Sequence, residues 1–180
     1  MVQLIELIGK AKLVRLWKIF LEDPKRDFYQ IDLFKTAKLA KATGIKWLRK
    51  LDDENLIIVD RRGRFLSYRL SSNPLNKLMK TGMAVSSLLP LSCIEGAEVY
   101  LFGSAARGED TTDSDYDVLV IGKIPKQVLH DHISRLKSKR QVKPVVFTPL
   151  EWSAMRTKDP AFYERVEKDK PDLILLDIMM

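Results

Sequence analysis

The sequence has few of the residues that build disulfide frameworks or zinc sites. Cys93 is the only cysteine in 180 residues, so an internal disulfide is excluded and a reducing, cytoplasmic environment is expected. We interpret Cys93 as a small buried hydrophobe. The two histidines, His130 and His132, are two positions apart in a predicted helix and would not share a face, which argues against a zinc site.

Long apolar runs are also missing. No stretch approaches the roughly 20 apolar residues of a membrane span, and the amphipathic first segment has no signal-peptide cleavage pattern. We therefore expect no membrane partner. The hydrophobic content of 46% is sufficient for folded cores, so wholesale disorder is not expected.

Acidic residues are scarce in the first half of the chain. Residues 1–92 contain 18 Lys and Arg against 9 Asp and Glu, whereas residues 93–180 contain 13 against 15. A basic half beside a slightly acidic half predicts two domains with different roles. Localised positive charge is typical of nucleic-acid binding, with a merely solvated surface as the alternative.

Apolar periodicity predicts three helices and a β-hairpin in the basic half. Gly44 disfavours an unbroken third helix by up to about 1 kcal/mol relative to alanine. Gly63 would form the tight hairpin turn. The predicted elements are a helix closed by Pro24, helices 30–36 and about 39–54, and strands 56–60 and 65–70.

The stretch "LAKATGIKWLRKLDDENLI…RRGRFLSYRL" within residues 37–70 resembles the recognition helix and wing of winged helix-turn-helix regulators from archaea and bacteria. The resemblance implies a duplex DNA partner, with the third helix in the major groove and the wing on the backbone or minor groove. A protein-docking or dimerisation module is the alternative. The expected DNA contacts are Lys41, Lys46, Arg49, Lys50, Arg61, Arg62 and Arg64.

A further helix is predicted from Pro74, capped by Asn73 or Ser72. We interpret it as a rigid connector or as a dimerisation helix, the latter implying a homodimer. The resulting organisation is a winged helix over residues 1–73, a linker helix over 74–92 and a second domain over 93–180.

The second domain contains "GSAARGEDTTDSDYD" at residues 103–117, between strands predicted at 97–102 and 115–121. Asp115 and Asp117 are two positions apart on a strand and would project from one face. Carboxylates that close repel each other unless one is protonated or a cation lies between them. Mg²⁺, or Mn²⁺ in its place, prefers oxygen ligands and would resolve this repulsion.

The glycine-serine end of the same loop has features of a phosphate-binding turn. Gly103 allows close backbone approach, and Ser104 offers a hydroxyl and an N–H. A short helix beginning there would favour an anion at its N-terminus. Arg107, one turn later, would pair with a carboxylate or a phosphate.

The motif "LFGSAARGEDTTDSDYDVLV" resembles the signature of the polymerase-β-like nucleotidyltransferase superfamily, in particular its minimal members. The resemblance implies a nucleoside triphosphate substrate, catalytic and metal-binding roles for Asp115 and Asp117, and nucleotide contacts from Gly103, Ser104 and Arg107. It also implies an α+β fold in which a small mixed sheet is flanked by helices. The remaining elements are predicted as helix 125–140, strand 141–148, helices 149–159 and 160–169, and a last strand or turn at 172–177.

The sequence departs from the family pattern at one position. The family has a third carboxylate on a later strand, and Lys143 in "QVKPVVF" stands in its place; Glu151 or Asp113 would be the substitutes. A charged lysine neither ligates Mg²⁺ nor acts as a base unless its pKa is strongly lowered, and contact with a phosphate is the alternative role of Lys143. Two main hypotheses follow: an enzyme that transfers a nucleoside monophosphate to a hydroxyl, or a DNA-binding regulator with a degenerate nucleotide sensor or scaffold. A third is a nucleotidyltransferase partner of a toxin–antitoxin pair.

Overall fold

The computed structural model of the protein describes residues 7–63, 65–138 and 140–169, apart from the side chain of Arg62. It divides the chain into two units between Met79 and Lys80. The three-domain organisation given above stays a prediction. Within the described ranges, no helix is both long enough and apolar enough to cross a membrane.

The first unit includes three helices that precede a β-hairpin. They are α1, Ala11–Glu22, α2, Gln30–Ala37, and α3, Lys41–Asp53. The apolar stripe of α1 is fully buried, with Leu13, Leu16, Trp17 and Phe20 each at 0% exposure. Burial of one face imposes a 3.6-residue repeat, and for that reason the sequence predicts these helices to within a few residues.

A hairpin follows the helices. Strand β2, Ile57–Arg62, pairs antiparallel with β3, Phe65–Leu70, through a turn at Gly63, whose φ of 62° favours glycine. A strand of two residues, β1, Phe28–Tyr29, pairs with β3 and gives the order β1-β3-β2. The sequence does not predict β1, because two residues are too few to show an alternating pattern.

Helix α4, Pro74–Leu88, contains the division between the units. The Asn73 side chain caps it by accepting a hydrogen bond from the Leu75 N–H at 2.8 Å, as predicted. A 3₁₀ turn, Leu89–Cys93, follows. Cys93 is exposed, so its interpretation as a buried hydrophobe is wrong; the turn buries Leu91 instead.

The second unit is built on a three-stranded sheet of order β4-β5-β6. The strands are β4, Ala97–Phe102, β5, Tyr116–Gly122, and β6, Val142–Phe147. β4 and β5 are antiparallel, whereas β5 and β6 are parallel. The predicted small mixed sheet is therefore confirmed.

Helices cover both faces of this sheet. They include α5, Gly103–Ala106, α6, Lys126–Ser134, α7, Pro149–Lys158, and α8, Pro160–Asp169. Val118 and Val120 of β5 belong to a core that includes Leu88 and Leu91. Leu119 and Ile121 belong to a second core with Trp152 of α7 and Val166 of α8. Burial on both faces explains why the end of β5 is a continuous apolar run.

The helix predicted over 125–140 is shorter, because α6 ends at Ser134. Arg140, at its predicted end, instead makes ion-pair contacts described below. The last strand or turn, predicted at 172–177, lies outside the described residues.

Gly44 gives the first unit a packing constraint. A Cβ placed at position 44 would lie 2.3 Å from the Phe34 ring of α2, so only glycine fits without a shift of that ring. α3 continues through Gly44 without a break. Close packing therefore accounts for a glycine in a position where helix propensity opposes it.

We expect Gly44→Ala to destabilise the protein by about 1–3 kcal/mol, since overpacking outweighs the propensity gain of alanine. Gly82→Ala is the matched control, because a Cβ at this helical position has no neighbour within 4 Å. It should stabilise the protein by about 0.4–1 kcal/mol. Urea denaturation followed by circular dichroism measures both changes. Stabilisation by both alanines would show that Phe34 does not constrain position 44.

Candidate active site

The end of β4 and the start of β5 meet at one point of the sheet. Phe102, the last residue of β4, pairs with Asp117, and Gly103 follows directly. Gly103 has a φ of 74°, and a Cβ at this position would lie 2.6 Å from Asp117 Oδ2. Any side chain at position 103 would therefore displace the Asp117 carboxylate. The structure thus brings together the glycine and the aspartate that the motif separates by 13 residues.

Lys143 lies beside the two aspartates. The parallel register of β5 and β6 pairs Asp117 with Lys143. The Lys143 ammonium is 2.5 Å from Asp115 Oδ2, just before β5. This hydrogen bond raises the pKa of Lys143, so the side chain stays charged and is unsuited to act as a base. The position where the resemblance predicts an acid therefore holds a cation, which is paired with one of the two aspartates.

Asp117 is partly buried at the start of β5. Burial raises the pKa of its carboxyl, and the nearby Asp115 adds to that rise. Lys143 and Arg165 of α8 oppose the rise by favouring the charged form. Added positive charge would therefore stabilise the Asp117 carboxylate.

The two substitutes considered for the third acid do not complete a cluster. Glu151 accepts hydrogen bonds from the Thr148 N–H and hydroxyl, both at 2.8 Å, and so caps α7. These bonds lower the pKa of Glu151. Asp113 is exposed in the loop before β5. Across the described parts of the chain, no three His, Cys, Asp or Glu side chains are arranged to hold a metal ion.

Ser104 and Arg107 extend the site along the short helix α5. Ser104 is partly buried in the first turn, and Arg107 ends the helix. The Arg107 Nε donates to Glu109 at 3.0 Å, and Nη1 donates to Asp169 of α8. The hydrogen bond to Glu109 is the main cause of a raised pKa of Arg107, and the bond to Asp169 adds to it. The sequence predicts a carboxylate or phosphate partner for Arg107, and in this structure both partners are carboxylates.

More than half of the chain matches a known protein-family model. The model of the nucleotidyltransferase domain matches residues 79–173. The chain belongs to the nucleotidyltransferase domain family. None of the curated proteins searched matches it. Domains of this family act on nucleoside triphosphates and typically use divalent metals.

The nucleotidyltransferase domain also contains a buried ion cluster that the sequence does not reveal. Asp110, 4% exposed, accepts a hydrogen bond from Arg140 and lies 3.2 Å from the Lys80 ammonium. Burial lowers the pKa of Lys80, although Asp110 opposes this effect. The Arg140 guanidinium also lies 5.3 Å from the centre of the Tyr116 ring. Tyr116 is the residue between Asp115 and Asp117 in the sequence. The cluster therefore links the motif loop to the segment that leads into β6 and Lys143.

The predicted DNA-binding residues lie in the first unit, away from the motif in sequence. Lys41, Lys46 and Arg49 are exposed on α3, and Arg61 is exposed on β2. Lys50 pairs with Glu54 at 2.9 Å, so part of its charge is neutralised within the helix. The side chain of Arg62, and Arg64 as a whole, lie outside the described residues.

Proposed function

We propose that the protein transfers a nucleoside monophosphate from a magnesium-bound nucleoside triphosphate to a hydroxyl acceptor. In this reaction the acceptor oxygen bonds to the α-phosphorus and pyrophosphate leaves. Asp115 and Asp117 would hold the metal, and Gly103, Ser104 and Arg107 would contact the triphosphate. The observation that carries the proposal is the contact between Asp117 Oδ2 and the side-chain-free face of Gly103, since it joins a metal-type ligand to a phosphate-type turn.

The chemistry of the donor set supports one divalent cation. Two carboxylates close in space favour a cation between them. Burial raises the pKa of the Asp117 carboxyl, so a cation beside it would stabilise the charged form. When bound, Mg²⁺ or Mn²⁺ would neutralise charge on the triphosphate. Asp115 must first exchange its ion pair with Lys143 for the metal. This exchange reduces the net gain from metal binding.

Lys143 is the reason for a second candidate function. Because a charged lysine stands in place of the third acid, no third carboxylate among the described residues joins Asp115 and Asp117 to help activate the acceptor hydroxyl. Lys143 supports the hypothesis that the domain is a degenerate nucleotide sensor or scaffold within a DNA-binding transcriptional regulator. Both functions require nucleotide binding, and only the first requires transfer.

For the first unit we propose a winged helix-turn-helix domain that binds duplex DNA. Support comes from the order of three helices and an antiparallel hairpin, and from exposed cations on α3 and β2. α3 would enter the major groove, and the hairpin would contact the DNA backbone or minor groove. α4 is the candidate dimerisation helix of a homodimer, and the cytoplasm is the expected location.

The combined substitution Asp115→Asn with Asp117→Asn should weaken binding of Mg²⁺ with a non-hydrolysable ATP analogue. The loss of two contacts to charged groups predicts a Kd about 100-fold higher or more. Isothermal titration calorimetry measures it. The control is Glu95→Gln with Glu164→Gln, two exposed acids outside the motif, which removes the same charge. Equal affinity of wild type and the aspartate variant would refute the metal assignment.

Lys143→Asp should increase nucleotidyl transfer or self-modification, because it supplies a third carboxylate and removes a cation that repels the metal. The readout is incorporation of radiolabel from α-labelled ATP with Mg²⁺ or Mn²⁺, with an expected gain of about tenfold. Lys126→Asp, an exposed change of equal charge, should have no effect. Strong wild-type transfer that Lys143→Asp abolishes would contradict this role. No transfer by either protein, with nucleotide binding intact, would favour the sensor.

DNA binding by the full chain should depend steeply on salt, because each neutralised phosphate releases condensed counterions. Reversal of Lys46, Arg49 and Arg61 to glutamate should reduce the slope of log K against log salt by about 2.7, at about 0.9 per contact. The control reverses Lys12, Lys18 and Lys25, which lie in or just after α1. Fluorescence anisotropy with labelled duplex measures both slopes. An equal decrease of the slope in both variants would indicate general charge attraction rather than DNA contacts by α3 and β2.

A further inference from the structure

Asp169 contacts two groups that the proposed function assigns to the triphosphate, the Gly103 N–H and the Arg107 guanidinium. Its Oδ2 accepts a hydrogen bond from the Gly103 N–H at 3.2 Å and another from the Arg107 guanidinium. The Asp169 side chain is 5% exposed, whereas that of Arg107 is 43% exposed. One oxygen of a buried carboxylate therefore holds both a backbone donor and a cation of the glycine-serine turn.

The helix that carries Asp169 does not favour this position. Asp169 lies at the C-terminal end of α8 as far as the structure describes this helix, and the helix dipole disfavours negative charge there. Its burial adds a desolvation penalty, which the partners on the turn must offset. The carboxylate is thus held in place by Gly103 and Arg107, and it has the charge and the oxygen acceptor of a phosphate group.

We propose that Asp169 is a further residue of the nucleotide site, which occupies the triphosphate donors until a nucleotide displaces it. This inference rests on the proposed function, since it takes Gly103 and Arg107 as triphosphate contacts. The entering phosphate replaces the carboxylate on both donors, and no covalent bond changes. Arg107 keeps its second partner, Glu109, at 3.0 Å, so its guanidinium stays near the turn during the exchange.

The exchange has a consequence for α8. A carboxylate left buried without its two donors is unfavourable, so displacement requires the last turn of α8 to carry Asp169 toward water. Arg165, one turn earlier on α8, acts electrostatically on Asp117. Movement of this end of α8 would therefore change the electrostatic environment of Asp117 as well as the contacts of the glycine-serine turn.

The test compares Asp169→Asn with wild type in the full chain. Asparagine keeps an oxygen acceptor for the Gly103 N–H and removes the charge that competes with phosphate. The first probe is tripolyphosphate without metal, titrated by calorimetry. Asp169→Asn should bind it about tenfold more tightly or better, the equivalent of one charge-assisted hydrogen bond. Glu164→Gln, an exposed acid on the same helix, removes equal charge and should change the Kd less than about twofold.

The second probe, Mg²⁺ with the ATP analogue, separates this inference from the proposed function. A gain for tripolyphosphate with no nucleotide binding by either protein would support the competition of Asp169 with phosphate for Gly103 and Arg107, and it would refute the nucleotide site. Nucleotide binding by wild type with equal or weaker binding of both probes by Asp169→Asn would overturn the role of Asp169 alone. An equal gain in Glu164→Gln would also overturn it, because the effect would then be general charge.

A measurement on the wild type covers the case in which Asp169→Asn does not fold. Saturating tripolyphosphate should increase amide hydrogen exchange in residues 160–169, because the end of α8 loses its contacts with the turn. Unchanged or stronger protection there would overturn the displacement of Asp169.

Discussion

The packing of the Asp117 carboxylate against Gly103 is the constraint on which the candidate active site depends. The Phe102–Asp117 strand pair brings the two together, and the positive φ of Gly103 turns the chain into α5 at that point. A side chain at position 103 would occupy the space of the carboxylate oxygen. The same glycine therefore allows the turn, the start of the helix and the approach of the aspartate, and the motif tolerates no larger residue there.

The carboxylates around this point are paired with cations of the chain itself. Lys143 pairs with Asp115, Arg107 with Asp169, and Lys80 and Arg140 with Asp110. Each pair offsets the cost of holding negative charge in a partly buried site. Two of these ion pairs involve residues that are proposed to bind ligands. Asp115, which pairs with Lys143, would bind the metal, and Arg107, which pairs with Asp169, would bind phosphate. Ligand binding would then exchange ion pairs rather than fill an unpaired site, and this exchange lowers the net affinity.

The two units of the chain differ in how charge is used. In the nucleotidyltransferase domain, some charged side chains are buried and form ion pairs, as Asp110 and Lys80 do. In the first unit, Lys41, Lys46 and Arg49 stay exposed on α3, while Leu48 and Leu51 on the same helix are buried. This separation of faces suits a surface that meets a polyanion, and it is the physical basis of the proposed DNA-binding role. A chain with both features would link nucleotide chemistry or sensing to DNA.

The sequence alone determined the elements that depend on local periodicity and spacing. The buried stripe of α1, the apolar run of β5 and the turn at Gly63 follow from such patterns. The nucleotidyltransferase domain, which the family match shows, was predicted from the resemblance of the Gly-Ser and Asp-x-Asp motif to the family signature. Only the tertiary structure decided which charges meet. Asp169 lies 66 positions from Gly103, and Lys80 lies 30 from Asp110, so no local pattern links them. Ion pairs between distant segments depend on how helices and strands pack, because a charged side chain has the same local signature whether it faces water or a buried partner.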